Sequence, residues 1–318
     1  MRSEKKNPYR VTRKEFLQKT ALVAAGALFL PAWVRAGAFA RFGIAGTFDP
    51  SGASAPSGTL ADTAGNAARV RNIGIQLYTV RKEMLADPLA TLQQLSKIGF
   101  KELESARSDK GNYYGLGPKE IKKICSDLGM RLRSGHVHAD KDFQQSIDQA
   151  AETGQEYLIA SVLPSKGQTV EHYQESAEAF NKLGEQCKKS GLVFGYHNHD
   201  SEFESVNGTI LYDVLLERAD PSLVKMEMDL GWVVASGHDP LHYFSKYPGR
   251  FPLWHLKDMD PARKTSTEFG KGQVDIKGLL QHAGQSGMRH FFLEQEEYTH
   301  TAFESIEEDY TYLSRLKI

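Results

Sequence analysis

The sequence is poor in features that define several common protein classes. Only two of its 318 residues are cysteines, Cys125 and Cys187. They lie far apart in segments with helical patterns, so neither a disulfide framework nor a cysteine-based metal site is predicted. The 39 lysines and arginines balance 40 aspartates and glutamates, which leaves no basic excess for binding a phosphate backbone. The composition therefore predicts an ordinary globular fold with a small molecule, and no nucleic acid, as its partner.

No apolar run reaches the roughly 20 residues of a membrane-spanning helix. The N-terminus instead has a basic segment with Arg13 and Lys14, an apolar stretch over about 21–34, and small residues at 36–38. This order is typical of an export signal, and the basic segment is similar to a twin-arginine signal with lysine in place of the second arginine. We therefore predict an export signal over residues 1–40, no stable membrane insertion after its removal, and a periplasmic location. The alternative is an amphipathic first helix of the domain.

A change of composition marks the start of the folded domain. Residues 41–71 are rich in glycine, alanine, serine and threonine and have no apolar period, which predicts a flexible linker. In residues 72–318, eight strand-like runs alternate with helix-like runs. The predicted strands cover about 73–78, 101–104, 131–136, 157–162, 192–197, 225–229, 252–255 and 290–294. The predicted helices cover about 88–98, 118–128, 143–153, 170–190, 211–218, 240–246, 276–286 and 303–316.

Eight strand–helix units over residues 72–318 predict an α/β fold, a closed (β/α)8 TIM barrel. A doubly wound open sheet is the alternative. It would have fewer strands and usually a glycine-rich turn after the first strand, whereas residues 76–81 contain no glycine. The barrel is therefore the favoured architecture.

Histidines and carboxylates follow several of the predicted strands. In a TIM barrel these positions meet at one rim, where chemistry takes place. The last four strand ends with such residues are 196–200, 227–229, 255–258 and 294–296. Nitrogen and oxygen donors of this kind suit one divalent metal ion such as Mn, Zn, Co or Mg. We therefore expect a metal-dependent site at the rim.

Five motifs carry a resemblance that covers the chain from Ile73 to its C-terminus. They are residues 74–81 (GIQLYTVR), 196–200 (YHNHD), 228–232 (MDLGW), 255–260 (HLKDMD) and 292–295 (FLEQ). With them the domain resembles the xylose-isomerase-like sugar (phosphate) isomerase/epimerase superfamily. The resemblance implies a TIM barrel with one divalent metal ion and a sugar or keto-sugar substrate.

The reaction that the resemblance implies is isomerisation or epimerisation through an enediolate-type proton transfer. One alternative is a lyase or dehydratase acting on a keto-inositol or a 3-keto-glycoside. Another is a carbohydrate-binding barrel without activity, against which the rim residues argue. An endonuclease-like activity is disfavoured, because neutral charge and an export signal do not suit a DNA-binding protein. The oligomeric state stays open.

The same resemblance implies a set of metal ligands. Asp229, His255 and Glu294 match the family's ligand positions on strands six, seven and eight. The ligand on strand five is usually a glutamate followed by asparagine, and His197 stands in its place. We expect His197 as the fourth ligand, with His199, on the same face of the strand, as the alternative.

Other rim residues are expected to act on the substrate. Glu294 is the expected base, and Glu104, His136 and His199 are possible proton-transfer partners. Lys257 is expected to stabilise the substrate oxyanion.

The remaining expectations concern substrate contacts. The alternative for Lys257 is a salt bridge to one of the aspartates at 258 and 260. His136 and His199 are expected to bind substrate, and Tyr78 and Trp232 to supply a flat apolar face for a sugar ring. Trp254 is a further candidate for that face.

Overall fold

A computed structural model describes residues 69–140, 142–164 and 167–318. The predicted export signal and residues 41–68 of the predicted linker lie outside this part of the chain. The described chain begins at Arg69, which forms a β-bridge with Lys317, and Val70 is buried. In the described residues no helix combines the length and apolarity needed to cross a bilayer.

Eight parallel strands form a closed barrel, which confirms the predicted fold. Each strand pairs with its neighbours in the chain, and the ring closes where Gly74 pairs with Phe292. The strands are β1 (Gly74–Gln76), β2 (Glu102–Ala106), β3 (Arg131–Val137), β4 (Tyr157–Ala160), β5 (Val193–His197), β6 (Val224–Asp229), β7 (Leu253–Leu256) and β8 (His290–Leu293).

Eleven α-helices accompany these strands in the described residues. They are α1 (Arg81–Ala86), α2 (Pro88–Ile98), α3 (Pro118–Asp127), α4 (Phe143–Thr153), α5 (Val170–Lys189), α6 (Leu211–Arg218), α7 (Leu230–Ala235), α8 (Pro240–Lys246), α9 (Ile276–Leu280), α10 (Ala283–Ser286) and α11 (Ala302–Arg315). The 3-10 helices Leu77–Val80 and Ser201–Phe203 and two short hairpins lie in the connections; the hairpins pair Ser205–Val206 with Thr209–Ile210 and Asp258–Asp260 with Thr265–Thr267.

Local signals explain where the predicted elements were right and where they were wrong. Helix α2 begins as predicted, because Pro88 occupies its first turn and the Asp87 side chain accepts the N–H of Ala90 at 3.0 Å. The predicted helix 276–286 is wrong, since the structure has two short helices there, α9 and α10. Strand β1 ends at Gln76, two residues before its predicted end. The Gln76 side chain accepts the N–H of Tyr78 and starts a 3-10 turn there.

Alternate residues of the strands divide the barrel interior into layers. His290 and Phe292 on β8 and Glu294 directly after it follow at the two-residue spacing of one strand face. Phe292 packs in an apolar cluster with Ile159 and Leu253. This apolar layer separates polar side chains at the amino ends of the strands from a second polar group at their carboxyl ends.

The lower polar group is a charge network around the buried Glu102 and His290. Glu102 Oε2 lies 2.7 Å from His290 Nδ1, and Arg133 Nε donates to Glu102 Oε1 at 3.0 Å. Arg133 also pairs with Glu156, whose Oε2 is 3.5 Å from His290 Nε2. Residues at this end of a TIM barrel serve stability rather than chemistry.

The loop after β7 is fixed by one carboxylate. Asp258 accepts backbone N–H groups from Gly270, Gly272 and Val274 at 2.9–3.0 Å. In the same loop Ser266 Oγ accepts the N–H of Glu296 at 2.7 Å. The loops after β7 and β8 are thereby tied together at the rim.

We predict that Glu102→Gln destabilises the fold by about 1–3 kcal/mol near pH 6, because it removes the buried carboxylate that pairs with Arg133 and His290 and leaves them only the part-exposed Glu156. Burial acts to lower the pKa of His290, but Glu102 and Glu156 raise it. The stability that this raised pKa contributes is fully present below about pH 6.5, the pKa of histidine in the unfolded chain. It is lost as the pH rises through the higher pKa of His290 in the folded protein. Urea unfolding of the variant at pH 6 and pH 9 tests this.

The control for this experiment is Glu178→Gln, a change at an exposed position of α5. It should leave the free energy of unfolding within about 0.5 kcal/mol of the parent. A deficit of the Glu102 variant that is equal at both pH values would contradict the role assigned to His290.

A second prediction concerns Asp309 on α11. Its Oδ1 accepts the N–H of Phe269 at 2.7 Å, its Oδ2 is buried without a partner, and burial raises its pKa to about 8. A carboxyl whose pKa is raised on folding costs stability as the pH climbs from about 4 through 8. Asp309→Asn keeps the acceptor, so it should be more stable than the parent by about 1–3 kcal/mol at pH 9 and equal to it near pH 4, measured by urea unfolding. Equal stability at both pH values would refute this.

Candidate active site at the carboxyl ends of the strands

A cavity of about 260 Å³ opens at the carboxyl ends of the barrel strands. Five of the residues predicted for the site line it, namely Tyr78, His136, His197, His199 and Glu294. The other lining residues are Ala106, Arg107, Val137, His138, Ser161, Val162 and Glu296. The cavity can hold one small polar molecule.

Three imidazoles surround one buried carboxylate beside this cavity. Glu227 Oε2 lies 2.7 Å from His136 Nε2, 3.2 Å from His197 Nδ1 and 3.3 Å from His255 Nε2. A second carboxylate, Glu104, places Oε1 2.6 Å from His255 Nε2 and 3.3 Å from His136 Nε2. Both glutamates are fully buried, so their charges depend on these imidazoles for compensation.

A lysine joins three further carboxylates at the same rim. The Lys257 ammonium lies 2.9 Å from Asp229 Oδ2, 3.0 Å from Glu294 Oε2 and 2.7 Å from Glu296 Oε1. Glu294 Oε2 also lies 2.8 Å from His255 Nδ1. The lysine is 1% exposed, so its charge is neutralised inside the protein and not by solvent.

The backbone around Asp229 explains why this side chain is so well fixed. It ends β6 and caps α7, where its Oδ1 accepts the N–H of Trp232 at 3.0 Å. Asn198 holds the Asp229 backbone from the neighbouring strand with two hydrogen bonds. Gly231 permits the helix to approach Lys257, because a Cβ at this glycine would lie 2.8 Å from the lysine Cβ and carbonyl oxygen.

Burial and neighbouring charges shift the pKa values of the imidazole cluster in opposite directions. Burial acts to lower the pKa of His136, but Glu104 and Glu227 outweigh it and raise this pKa to about 9. Burial, and then repulsion by Glu104, raise the pKa of Glu227 to about 7. Burial lowers the pKa of His197 well below its usual value, and His255 adds to the effect. His197 is therefore neutral, the form in which imidazole binds metals.

Lys257 and Glu294 hold each other in their charged forms. Burial acts to lower the pKa of Lys257, but Asp229, Glu294 and Glu296 raise it well above the usual value. Burial acts to raise the pKa of Glu294, but Lys257 and His255 bring it well below the usual value. Glu294 is therefore an ionised carboxylate at the edge of the cavity.

The donor atoms fit a divalent metal ion. Among the described residues, two groups of four side chains bring ligand atoms within 4.8 Å of one another. One is His197, Asp229, His255 and Glu294, the set that the family resemblance implies; the other is His136, His197, Glu227 and His255. Imidazole and carboxylate donors suit the ions expected from the sequence, Mn, Zn, Co or Mg. The buried Glu227 Oε1 has no hydrogen-bond partner, so the cluster offers an oxygen that a cation could satisfy.

Sequence reasoning did not single out Glu227 or Glu296 for a role. Glu227 stands two residues before Asp229, so both side chains share one face of β6. This spacing was the signal that could have identified it. Glu296 follows a strand end in a loop, and only the contact with Lys257 shows its part in the site.

Several predicted residues occupy different surroundings from those expected. Glu104 does not line the cavity but lies buried, where it accepts a hydrogen bond from Gln76 at 2.7 Å. Trp232 lines an adjoining groove together with His199. The prediction that Trp254 supplies a face for a sugar ring is wrong, because it is fully buried and stacked on Phe244 in the packing outside the barrel.

Lys257 also differs from its expected surroundings. It is absent from the cavity lining, and its partners are the three carboxylates named above rather than Asp258 or Asp260. Tyr78, in contrast, is 40% exposed at the cavity, with the Arg81 guanidinium 4.4 Å from its ring centre.

The fold and this cluster define a class of protein, the TIM barrels with a histidine and carboxylate site at the carboxyl ends of their strands. The family model described as xylose isomerase-like TIM barrel matches residues 92–316, and the chain belongs to this family. The resemblance inferred from the motifs is thereby confirmed.

Similar proteins include an inosose dehydratase and two sugar phosphate isomerases/epimerases. An inosose dehydratase of Lacticaseibacillus casei is 27% identical over 237 residues, which cover 62% of this chain and 77% of that protein. A solved sugar phosphate isomerase/epimerase from Parabacteroides distasonis is 28% identical to this chain. The aligned residues cover 81% of this chain and 98% of that one, with a TM-score of 0.68. A second one from that organism is 26% identical and covers 77% and 98%, with a TM-score of 0.69. The chain thus belongs to an enzymatic, sugar-processing family.

Proposed function

We propose that the protein is a divalent-metal-dependent isomerase or epimerase that moves a proton on a carbon next to the carbonyl of a sugar or keto-sugar. The observation that carries this proposal is the ionised Glu294 at the cavity, 3.0 Å from the Lys257 ammonium and 2.8 Å from His255. A carboxylate base beside an imidazole cluster is the machinery that enolisation needs. Isomers of the carbonyl sugar are the expected products.

A bound ion would be held by His197 and His255, which belong to both groups of donors, together with neighbouring carboxylates. When bound, it supplies a Lewis acid that polarises the substrate carbonyl and stabilises negative charge on its oxygen. Glu294 accepts the proton from the adjacent carbon. Lys257 acts through Glu294, because it orients that carboxylate and is itself shielded from the cavity.

His199 is the partner that the geometry favours for the second proton transfer. Its ring lines the cavity, and its backbone N–H is fixed by Glu202 at 2.8 Å. Glu104 and His136, the other candidates from the sequence, are both engaged with His255 or Glu227 in the buried cluster. Tyr78 at the cavity mouth supplies a flat face and a hydroxyl for substrate contacts.

Elimination of water is the second candidate reaction. It shares the first proton abstraction, and the inosose dehydratase relative supports it. After abstraction by Glu294, protonation of the leaving oxygen on the β-carbon by His199 would release water from a keto-inositol, or the aglycone alcohol from a 3-keto-glycoside. The proposed periplasmic location favours unphosphorylated substrates of either kind, because they reach the enzyme from outside the cell.

We predict that the metal-loaded protein exchanges the proton next to the carbonyl of keto-sugars or inososes with solvent deuterium. Glu294→Gln should lower kcat about 100- to 10,000-fold, because the amide cannot accept the proton. Proton NMR in deuterated buffer measures the exchange. Mass spectrometry of the product separates an isomer of unchanged mass from a product that has lost water.

Glu178→Gln on the exposed face of α5 is the matched control and should retain full activity. If the wild-type protein binds metal but exchanges no proton in any of these substrates, the proposed reaction fails. Binding of sugars without exchange would then favour the carbohydrate-binding barrel.

A further inference from the structure

The groove that adjoins the active-site cavity has a volume of about 510 Å³. Ser161, Val162 and His199 line both spaces, and the groove continues from them past Asp200 and Trp232. The cavity, at about 260 Å³, is smaller than the roughly 300–1,000 Å³ that is usual for ligand sites. A molecule bound in the cavity can therefore extend into the groove without a rearrangement of the fold.

The surface of the groove combines apolar faces with free polar groups. Val162 is 62% exposed, the most exposed large hydrophobic side chain in the described residues. The half-buried Trp232 lies beside His199, with 6.5 Å between the ring centres. Among the described residues, the side chains of Ser161 and Asp200 have no hydrogen-bond or ion-pair partner. A sugar ring offers both an apolar face and hydroxyl groups, so it matches this surface.

His199 lies at the junction of the cavity and the groove, and Glu202 fixes it there. Glu202 Oε2 accepts the backbone N–H of His199 at 2.8 Å, and its Oε1 accepts the hydroxyl of Tyr196 at 2.5 Å. Glu202 is itself buried, so the junction is built on a packed part of the protein. A substituent on a sugar in the cavity would therefore pass His199 as it enters the groove.

The charge of the groove favours an uncharged occupant. Asp200 contributes an exposed carboxylate, which would repel a phosphate or a second carboxylate. The same carboxylate can accept hydrogen bonds from the hydroxyls of a neutral ring, and the Ser161 hydroxyl can donate or accept one. A neutral sugar ring thus satisfies the polar groups that the protein leaves free.

We propose that the substrate is a neutral keto-glycoside. Its keto-sugar occupies the cavity, and a second sugar ring lies in the groove between Val162, Asp200 and Trp232. This inference rests on the proposed function, from which it takes the keto-sugar, and it adds the class of substrate. A free monosaccharide would leave the groove empty.

The test compares two substrates of the metal-loaded full chain, the 3-keto derivatives of glucose and of a glucose disaccharide. Proton NMR in deuterated buffer measures kcat and KM for removal of the proton next to the carbonyl. We expect kcat/KM to be about 100-fold higher for the disaccharide, chiefly through a lower KM, because the second ring adds contacts remote from the reacting carbon. Equal values, or a preference for the monosaccharide, would overturn the inference and leave the proposed function intact.

Variants of Asp200 test the groove itself. Asp200→Ala should reduce the preference for the disaccharide about 10-fold by raising its KM, because a charged hydrogen-bond acceptor is lost. Asp200→Asn keeps an acceptor and should restore part of the preference. Glu178→Gln on α5 is the control and should keep the preference of the parent. An unchanged preference in Asp200→Ala would contradict the position assigned to the second ring.

Binding separates a failure of this inference from a failure of the proposed function. If the wild-type protein removes no proton from either sugar, the proposed function fails, and calorimetry with the same two sugars decides about the groove. Binding of the disaccharide about 10-fold more tightly than the monosaccharide, with the difference lost in Asp200→Ala, would support the groove as the site of the second ring. Equal affinities would overturn it.

Discussion

The need to compensate buried negative charge governs this protein more than any other interaction. Glu104, Glu227, Asp229 and Glu294 lie at the centre of the rim with at most 6% of their surface exposed. Such carboxylates are costly unless they are paired and hydrogen-bonded. The Lys257 ammonium compensates the carboxylates on one side of this group, and the imidazoles compensate those on the other side. The chemistry that we propose uses this charge balance, since it keeps a base ionised inside the protein.

The barrel makes this concentration of charge possible because its interior is layered. Apolar residues such as Ile159 and Phe292 separate the rim from the network of Glu102, Arg133 and His290 at the other end. The charges at each end are therefore compensated by partners at that same end. The rim can therefore hold closely spaced charges for the proposed chemistry, while the lower network contributes to stability.

The sequence predicted the barrel, its family and most of the rim, because strand ends and helix starts have strong local signals. Helices α2, α4, α6 and α8 have the predicted limits. The division of residues 276–286 into two helices and the early end of β1 depended on side-chain hydrogen bonds and turns. Local patterns do not encode such interactions reliably.

The sequence by itself determined which side chains reach the rim, since a residue's position along a parallel strand fixes its height and its face. It did not determine their partners. Only the tertiary structure placed Lys257 against three carboxylates from two strand ends and Glu227 among imidazoles from three others. Closure of the barrel brings these segments, which are distant in sequence, close together in space. The distances between their side chains decide which charges compensate one another.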